Sequence, residues 1–327
     1  MALLISGEGC MDLEELGILS PEEVKKLRGK GIFTVERLAI CSAEELMKAL
    51  EAEEGRIEEI LIEAWKKTGH WFIRASEYSR QAGEMVLTTG SKALDDLLGG
   101  GVRTKRITEF IGEYRVGKTQ TALTILVETL GREPDVHAIY MDSEKGFNDS
   151  RIMEIAKNRG YDGNDILQRI SLVPVVSCYH MIKSLKWIDG ILAERKARLL
   201  IVDSVIAPFR SEYIGRENLA ERQQLLGKAL DQMSKIAEAY NIAVVATNQV
   251  VARPEQTYSY DPLADVTPAG GHILGHRSQE RVHLRKGRGD IRIARLIDSS
   301  WLPPGECIFR ITEKGVEDIP EKKTATS

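Results

Sequence analysis

A chain of 327 residues with 43% hydrophobic side chains can bury a sizeable core, and single cores seldom grow beyond about 250–300 residues, so one large domain and one small one are expected. The net charge of −4 supplies no global field for nucleic acid, no apolar run is long enough to span a bilayer, and the N-terminus lacks a basic region followed by an apolar stretch. A soluble cytoplasmic protein is expected, with Cys10, Cys41, Cys178 and Cys307 as reduced thiols, since no C-x-x-C spacing suggests zinc or a disulfide framework.

Residues 1–69 read as a small helical domain. Ser20-Pro21-Glu22-Glu23 is an N-cap followed by proline in the first helical position, Ser42-Ala43-Glu44-Glu45 reads as a capping box, and Ile57, Ile60, Leu61 and Ala64 mark the apolar face of a further helix. Residues 11–70 hold 14 acidic against 9 basic side chains, too acidic to grip DNA on bulk charge. Residues 70–85 are weakly patterned and read as a linker. From 86 to 327, short apolar runs at 138–141, 199–202 and 242–246 alternate with helical periods, which predicts an α/β core with a mostly parallel sheet flanked by helices. Leu226, Leu230, Met233 and Ala237 give the buried face of a helix beginning at Leu219. Residues 252–271 carry three prolines and two tyrosines with little periodicity, the profile of a functional loop.

Gly112-Glu113-Tyr114-Arg115-Val116-Gly117-Lys118-Thr119 fits G-x-x-x-x-G-K-[ST]. Ile107, Phe110 and Ile111 precede it with strand character, and Leu123, Leu126, Val127 and Leu130 follow at helical spacing. Such a loop turns successive backbone N–H groups onto an anion, and the following helix adds the positive end of its dipole. Lys118 would reach the β- and γ-phosphates of a nucleotide and Thr119 would ligate Mg²⁺.

Three strand ends carry further chemistry. Leu199-Leu200-Ile201-Val202-Asp203-Ser204 ends in an acid that would hold Mg²⁺ through water, although many strands end in Asp for turn reasons alone. Asp142-Ser143-Glu144 offers a carboxylate to deprotonate an attacking water; in isolation Glu144 reads as a surface acid. Thr247-Asn248-Gln249 ends a third strand, where a neutral amide would report the γ-phosphate to the long loop that follows. Between 277 and 295 lie Arg277, Arg281, Arg285, Lys286, Arg288, Arg292 and Arg295 against Glu280 and Asp290, which fits either phosphate binding or a charge-protected strand edge. Arg216, Arg222 and Lys228 form a second basic cluster.

Together these residues resemble the RecA-type recombinases, most closely the archaeal RadA branch. The matching text is GSKALDDLLGGG at 90–101, GEYRVGKTQ at 112–120, LLIVDS at 199–204, EYIGRENLAERQQ at 212–224, TNQVVARP at 247–254, GGHILGH at 270–276 and RKGRGDIRIARLIDSSWLPPGE at 285–306. The resemblance is dense over 72–318 and loose over 12–68. It implies a RecA-like P-loop ATPase core behind a helix-hairpin-helix-like N-terminal domain. The implied activity is ATP- and Mg²⁺-dependent: polymerisation on single-stranded DNA, pairing with a homologous duplex and strand exchange, in the nucleoid.

Carried over by position, the resemblance implies that residues 112–119 and Gln120 bind phosphate, Glu144 is the catalytic carboxylate, Asp203 is the metal-side acid, Gln249 senses the γ-phosphate and Arg151 stacks on adenine. Asp261-Pro262 would cap ATP from a neighbouring subunit. Arg216 and Arg222 would serve a first DNA loop, Arg253, Gly270, Gly271 and His272 a second, and Arg285, Lys286 and Arg288 a duplex-capturing surface. Phe72-Ile73-Arg74-Ala75 matches the F-x-x-A linker that docks on a neighbour, through Phe72 and Ala75, to build a ring or filament.

The chain departs from the family pattern at Lys145 and Asn148, and at Val173-Pro174-Val175-Val176-Ser177-Cys178-Tyr179-His180, which keeps only the final His. It departs again at Gly17-Ile18-Leu19 and Glu53-Glu54-Gly55, which replace glycine hairpins. Those departures keep open a paralogue that binds ATP and DNA as a mediator. A module holding ATP only as a structural ligand is the third reading.

Overall fold

The computed structural model describes residues 10–77, 83–215, 217–252, 266–270, 274–275 and 277–320. A 3-10 turn at Leu13–Leu16 opens the helical region, followed by α1 (Pro21–Arg28), α2 (Val35–Ala39), α3 (Ala43–Leu50) and α4 (Glu54–Lys67). Ser20 caps α1 reciprocally with Glu23, as its spacing predicts. At α3 only half of the expected box forms. Ser42 accepts from Glu45 N, but the Glu45 carboxylate turns away to Lys186 at 2.5 Å, a charged partner that outbids the backbone N–H. Leu13, Leu27, Ile32, Leu38, Leu46, Ile57 and Ile60 close a core of their own, each fully buried. Glu53 is the N-cap of α4 and Gly55 lies in its first turn, so residues 51–53 form the turn between the packed helices α3 and α4.

The second region begins with β1 (Val86–Leu87), α5 (Lys92–Leu97), β2 (Val102–Arg103), β3 (Ile107–Gly112), α6 (Lys118–Arg132), β4 (His137–Asp142), α7 (Asp149–Arg159), α8 (Gly163–Gln168) and β5 (Ile170–Pro174). It continues through α9 (Cys178–Trp187), α10 (Asp189–Glu194), β6 (Ala197–Asp203), α11 (Ala207–Glu212), α12 (Leu219–Tyr240), β7 (Ala243–Ala252) and β8 (Val266–Pro268). It ends with β9 (Glu280–Lys286), β10 (Ile291–Ser299), β11 (Gly305–Thr312) and β12 (Gly315–Glu317). The main sheet runs β12-β11-β10-β9-β3-β7-β6-β4-β5, parallel from β9 to β5 and extended on one side by antiparallel β10 to β12.

Side-chain alternation along the strands builds a core on each face. Phe110, Tyr140, Leu199 and Ile201 pack with α6 and α7, while Met141, Leu200, Val202 and Val244 pack with α9 and α12. Helix α6 is buried along residues 121–130 rather than on one stripe, because β12 covers its outer side. The basic run from Arg281 to Arg295 is the β9–β10 hairpin, turned at Gly289 with φ 66°. The strand β8 pairs antiparallel with β7, so the connection after Ala252 folds back on its own strand.

The helical region sits on the core through Asp189. That carboxylate is fully buried and accepts from Phe33 N at 2.5 Å, Thr34 N at 3.1 Å, Thr34 Oγ1 at 2.6 Å and Tyr240 Oη at 2.5 Å. No described helix is long and apolar enough to cross a membrane.

Candidate functional site

Strand β3 is buried along its whole length between β9 and β7, and the loop leaving it needs glycine at both ends. A Cβ on Gly112 would stand 2.6 Å from Leu284 O, and Gly117 has φ +111° with space for a Cβ closed by Ile311 Cδ1 at 2.3 Å. Gly117 caps α6 with no side-chain hydrogen bond, so the helix presents its N-terminal N–H groups to the loop. Val116 is buried, and its carbonyl accepts from Arg292 Nε at 2.8 Å, which braces the loop from β10. Tyr114 is exposed, with Arg115 over its ring, and Glu113 is exposed beside them. Lys118 Nζ donates to Gly112 O at 2.9 Å and Glu113 O at 2.7 Å. Burial pulls its pKa down against the opposing pull of Glu144, Asp203 and Glu113.

Asp203 is buried at the end of β6. Its Oδ2 accepts from Thr119 Oγ1 and from Tyr140 Oη, each at 2.8 Å, and its Oδ1 accepts from Thr247 Oγ1. A hydroxyl beside a carboxylate, next to an uncapped helix N-terminus and a lysine, is a donor set that fits Mg²⁺ bound to a nucleotide. Glu144 leaves β4 through a turn held by Asp142, which accepts from Glu144 N at 3.2 Å, Gly146 N at 3.0 Å and Phe147 N at 3.1 Å. Although the residue is exposed, protein atoms hem in its carboxyl. Its pKa is raised, first by that desolvation and then by the charge of Asp203, against Lys118 and the Gln249 hydrogen bond. Gln249 Nε2 donates to Glu144 Oε1, and Gln249 Oε1 accepts from Arg210 Nη1 at 3.2 Å. Five residues singled out in the sequence, Lys118, Thr119, Glu144, Asp203 and Gln249, thus meet at the carboxyl ends of adjacent strands, where ligands of open α/β sheets bind.

Other expected residues lie further out. Arg151 Nε donates to Gln120 Oε1 at 2.7 Å, and its guanidinium reaches Glu154 at 2.5 Å and the Thr312 carbonyl, so it spans α6 to the β11–β12 turn. Arg222 Nη1 folds back on Tyr213 O at 3.3 Å. Gly270 has φ +94° and lies against Leu226 and Ile206. Lys286 and Arg288 are exposed on the β9–β10 turn, and Arg285 pairs with Glu306 at 2.9 Å. Because Gly112 is opposite Leu284, that turn stands at the phosphate-loop end of the sheet. Arg281 faces inward as the counter-ion of fully buried Glu109, at 2.7 Å, and Arg292 braces the loop, so these two cations are occupied by protein partners. Arg216, Arg253, Asp261, Pro262, Gly271 and His272 lie outside the described residues.

Phe72 is 92% exposed, edge-on to Trp71, which stacks on Trp65; Ala75 begins a short helical stretch. Among the described residues, no cluster of His, Cys, Asp or Glu forms a metal site without a nucleotide, and the cysteines are free. Tyr140, Arg210 and Arg292 were not singled out for these roles by the sequence. Nothing in their spacing announces which strand or helix will bring them to the site, whereas Thr247 lies within a motif already marked.

The Rad51 family model matches residues 80–319. The chain belongs to the Rad51 family. It is therefore a RecA-like recombinase by family, and the family comprises DNA-dependent ATPases that bind ATP with Mg²⁺ and assemble on DNA. The match begins beyond α4, so the helical region lies outside it.

Proposed function

We propose that this Rad51-family chain is a recombinase of the archaeal RadA type, acting on the nucleoid in the cytoplasm. It polymerises on single-stranded DNA with ATP bound, pairs the strand with a homologous duplex and exchanges strands. The observation that carries this is the convergence of Lys118, Thr119, Asp203, Glu144 and Gln249 at the carboxyl ends of adjacent strands. The N–H groups at residues 112–119 and Lys118 bind the phosphates, with Gln120 and Arg151 flanking the nucleotide. Thr119 and Asp203 hold Mg²⁺, which when bound neutralises phosphate charge. Glu144, its proton affinity raised by desolvation of the carboxyl and by the charge of Asp203, takes the proton of the attacking water. Gln249 reads the γ-phosphate, and Asp261 with Pro262 caps the nucleotide of an adjacent subunit. Arg216, Arg222, Arg253, Gly270, Gly271 and His272 line the single strand, and Arg285, Lys286 and Arg288 receive the duplex. Phe72 and Ala75 join neighbours.

Strand exchange by the purified chain alone, between a circular single strand and a linear duplex, tests this. Joint molecules that need ATP support it. Binding of ATP and DNA without joint molecules would establish instead the mediator reading, which the replaced 173–180 segment favours.

A further inference from the structure

Gln249 makes contacts in three directions. Its Nε2 donates to Glu144, its Oε1 accepts from Arg210, and its backbone carbonyl accepts from Ala269 N at 2.8 Å, on the return leg of the connection after β7. Arg210 is exposed on α11, which starts shortly after Asp203 and ends at Glu212. The chain then runs directly into Tyr213, Ile214 and Gly215, and Ile214 is 71% exposed. Arg210 therefore stands between the catalytic carboxylate and the segment expected to meet a strand.

A carboxylate oxygen that already accepts an amide N–H has less lone-pair density to offer a water. The guanidinium on the far side of the amide fixes its orientation through a charge-assisted bond. That bond ends on a neutral oxygen at the surface, and a phosphodiester, charged and able to accept in a bidentate fork, is the better partner for arginine.

We propose that Arg210 is the positioning residue that makes hydrolysis depend on DNA. It holds Gln249 against Glu144, and a phosphodiester of a single strand lying along 213–215 captures it and frees the carboxylate; this rests on Glu144 being the base of an ATPase. The device adds a contact from α11 to the γ-phosphate reading of Gln249.

The test is steady-state ATP turnover by the full chain, with and without saturating oligothymidylate, for wild type, Arg210→Ala, Arg210→Lys, Gln249→Ala and the Arg210→Ala/Gln249→Ala double variant. Arg210 is exposed, so folding is not at stake, and circular dichroism checks it. Arg210→Ala should raise the DNA-independent rate about five-fold, the factor that one hydrogen bond is worth, and bring the stimulated-to-basal ratio toward one. Arg210→Lys, which keeps one charged donor, should fall between. In the Gln249→Ala background the arginine change should leave the basal rate where it was. A variant whose basal rate matches wild type and which merely needs more DNA would show a simple strand contact and overturn the proposal. Equal loss of basal and stimulated rates would overturn it too. Wild type that hydrolyses no ATP with or without DNA would instead bring down the ATPase reading itself, and this proposal with it.

Discussion

Lys118 donates to two carbonyls of its own loop, so a phosphate entering there exchanges neutral acceptors for a charged one. Lys118→Ala should abolish tight ATP binding, read by titration with a fluorescent ATP analogue; wild-type affinity would refute the site. Glu144→Gln keeps the shape but cannot take a proton, and hydrolysis should fall by about 10²–10⁴ while ATP stays bound. The pH dependence has a definite sign. As the proposed base, Glu144 acts when ionised, and its pKa is raised, so turnover should fall on acidification at a pH above that of an ordinary exposed glutamate. An acid limb at the ordinary carboxylate position would contradict the assignment of Glu144 as the base. The phosphate loop was legible because its chemistry needs contiguous backbone, which the sequence displays directly. Tyr140 and Arg210 were not, because they reach Asp203 and Gln249 only once β4, β6, β7 and α11 are assembled. Arg281 misled for a related reason: an arginine reads the same in sequence whether it faces phosphate or Glu109 across a strand pair.

At the scale of elements, the strand–helix alternation was readable from apolar runs, since β3, β4, β6 and β7 are covered on both faces. The β9–β10 turn was not, because basic residues continue through it and hide the Gly-Arg-Gly-Asp signal at 287–290. Nor was the seat of the helical region. Its acidic surplus bears on DNA and names no docking face, whereas Asp189 gathers Phe33, Thr34 and Tyr240 into a buried polar knot between α2, α10 and α12. Asp189→Ala would leave those donors without an acceptor, at about 1–3 kcal/mol for each that stays buried. That sum weighs against the docked arrangement. The variant should therefore become sensitive to protease in the 70–85 stretch while still binding ATP, as gel analysis of timed digests would show. An unchanged digestion pattern would mean that apolar packing alone seats the region.

For the molecule as a whole, the proposed assembly has a neighbour cover Phe72, and a ring that is 92% exposed gains about 2–3 kcal/mol when it is buried. That is roughly two powers of ten in a polymer equilibrium. Phe72→Glu should give smaller species by light scattering, and undiminished polymer would reject the contact. Intact ATP-dependent polymer combined with loss of only DNA-bound filaments would place the contact elsewhere. The position of β3 has a consequence of another kind. Its amides are paired on both sides, to β7 and β9, and every residue is buried, so their hydrogens should exchange with deuterium only when the entire core opens. The loop proposed to take the nucleotide grows from that same strand. Ligand stabilisation, RT ln(1 + [L]/Kd), should then appear undiminished in the slowest-exchanging amides, at residues 107–112. Deuterium uptake at six backbone positions would thereby serve as a thermometer of nucleotide affinity in variants that no longer turn ATP over.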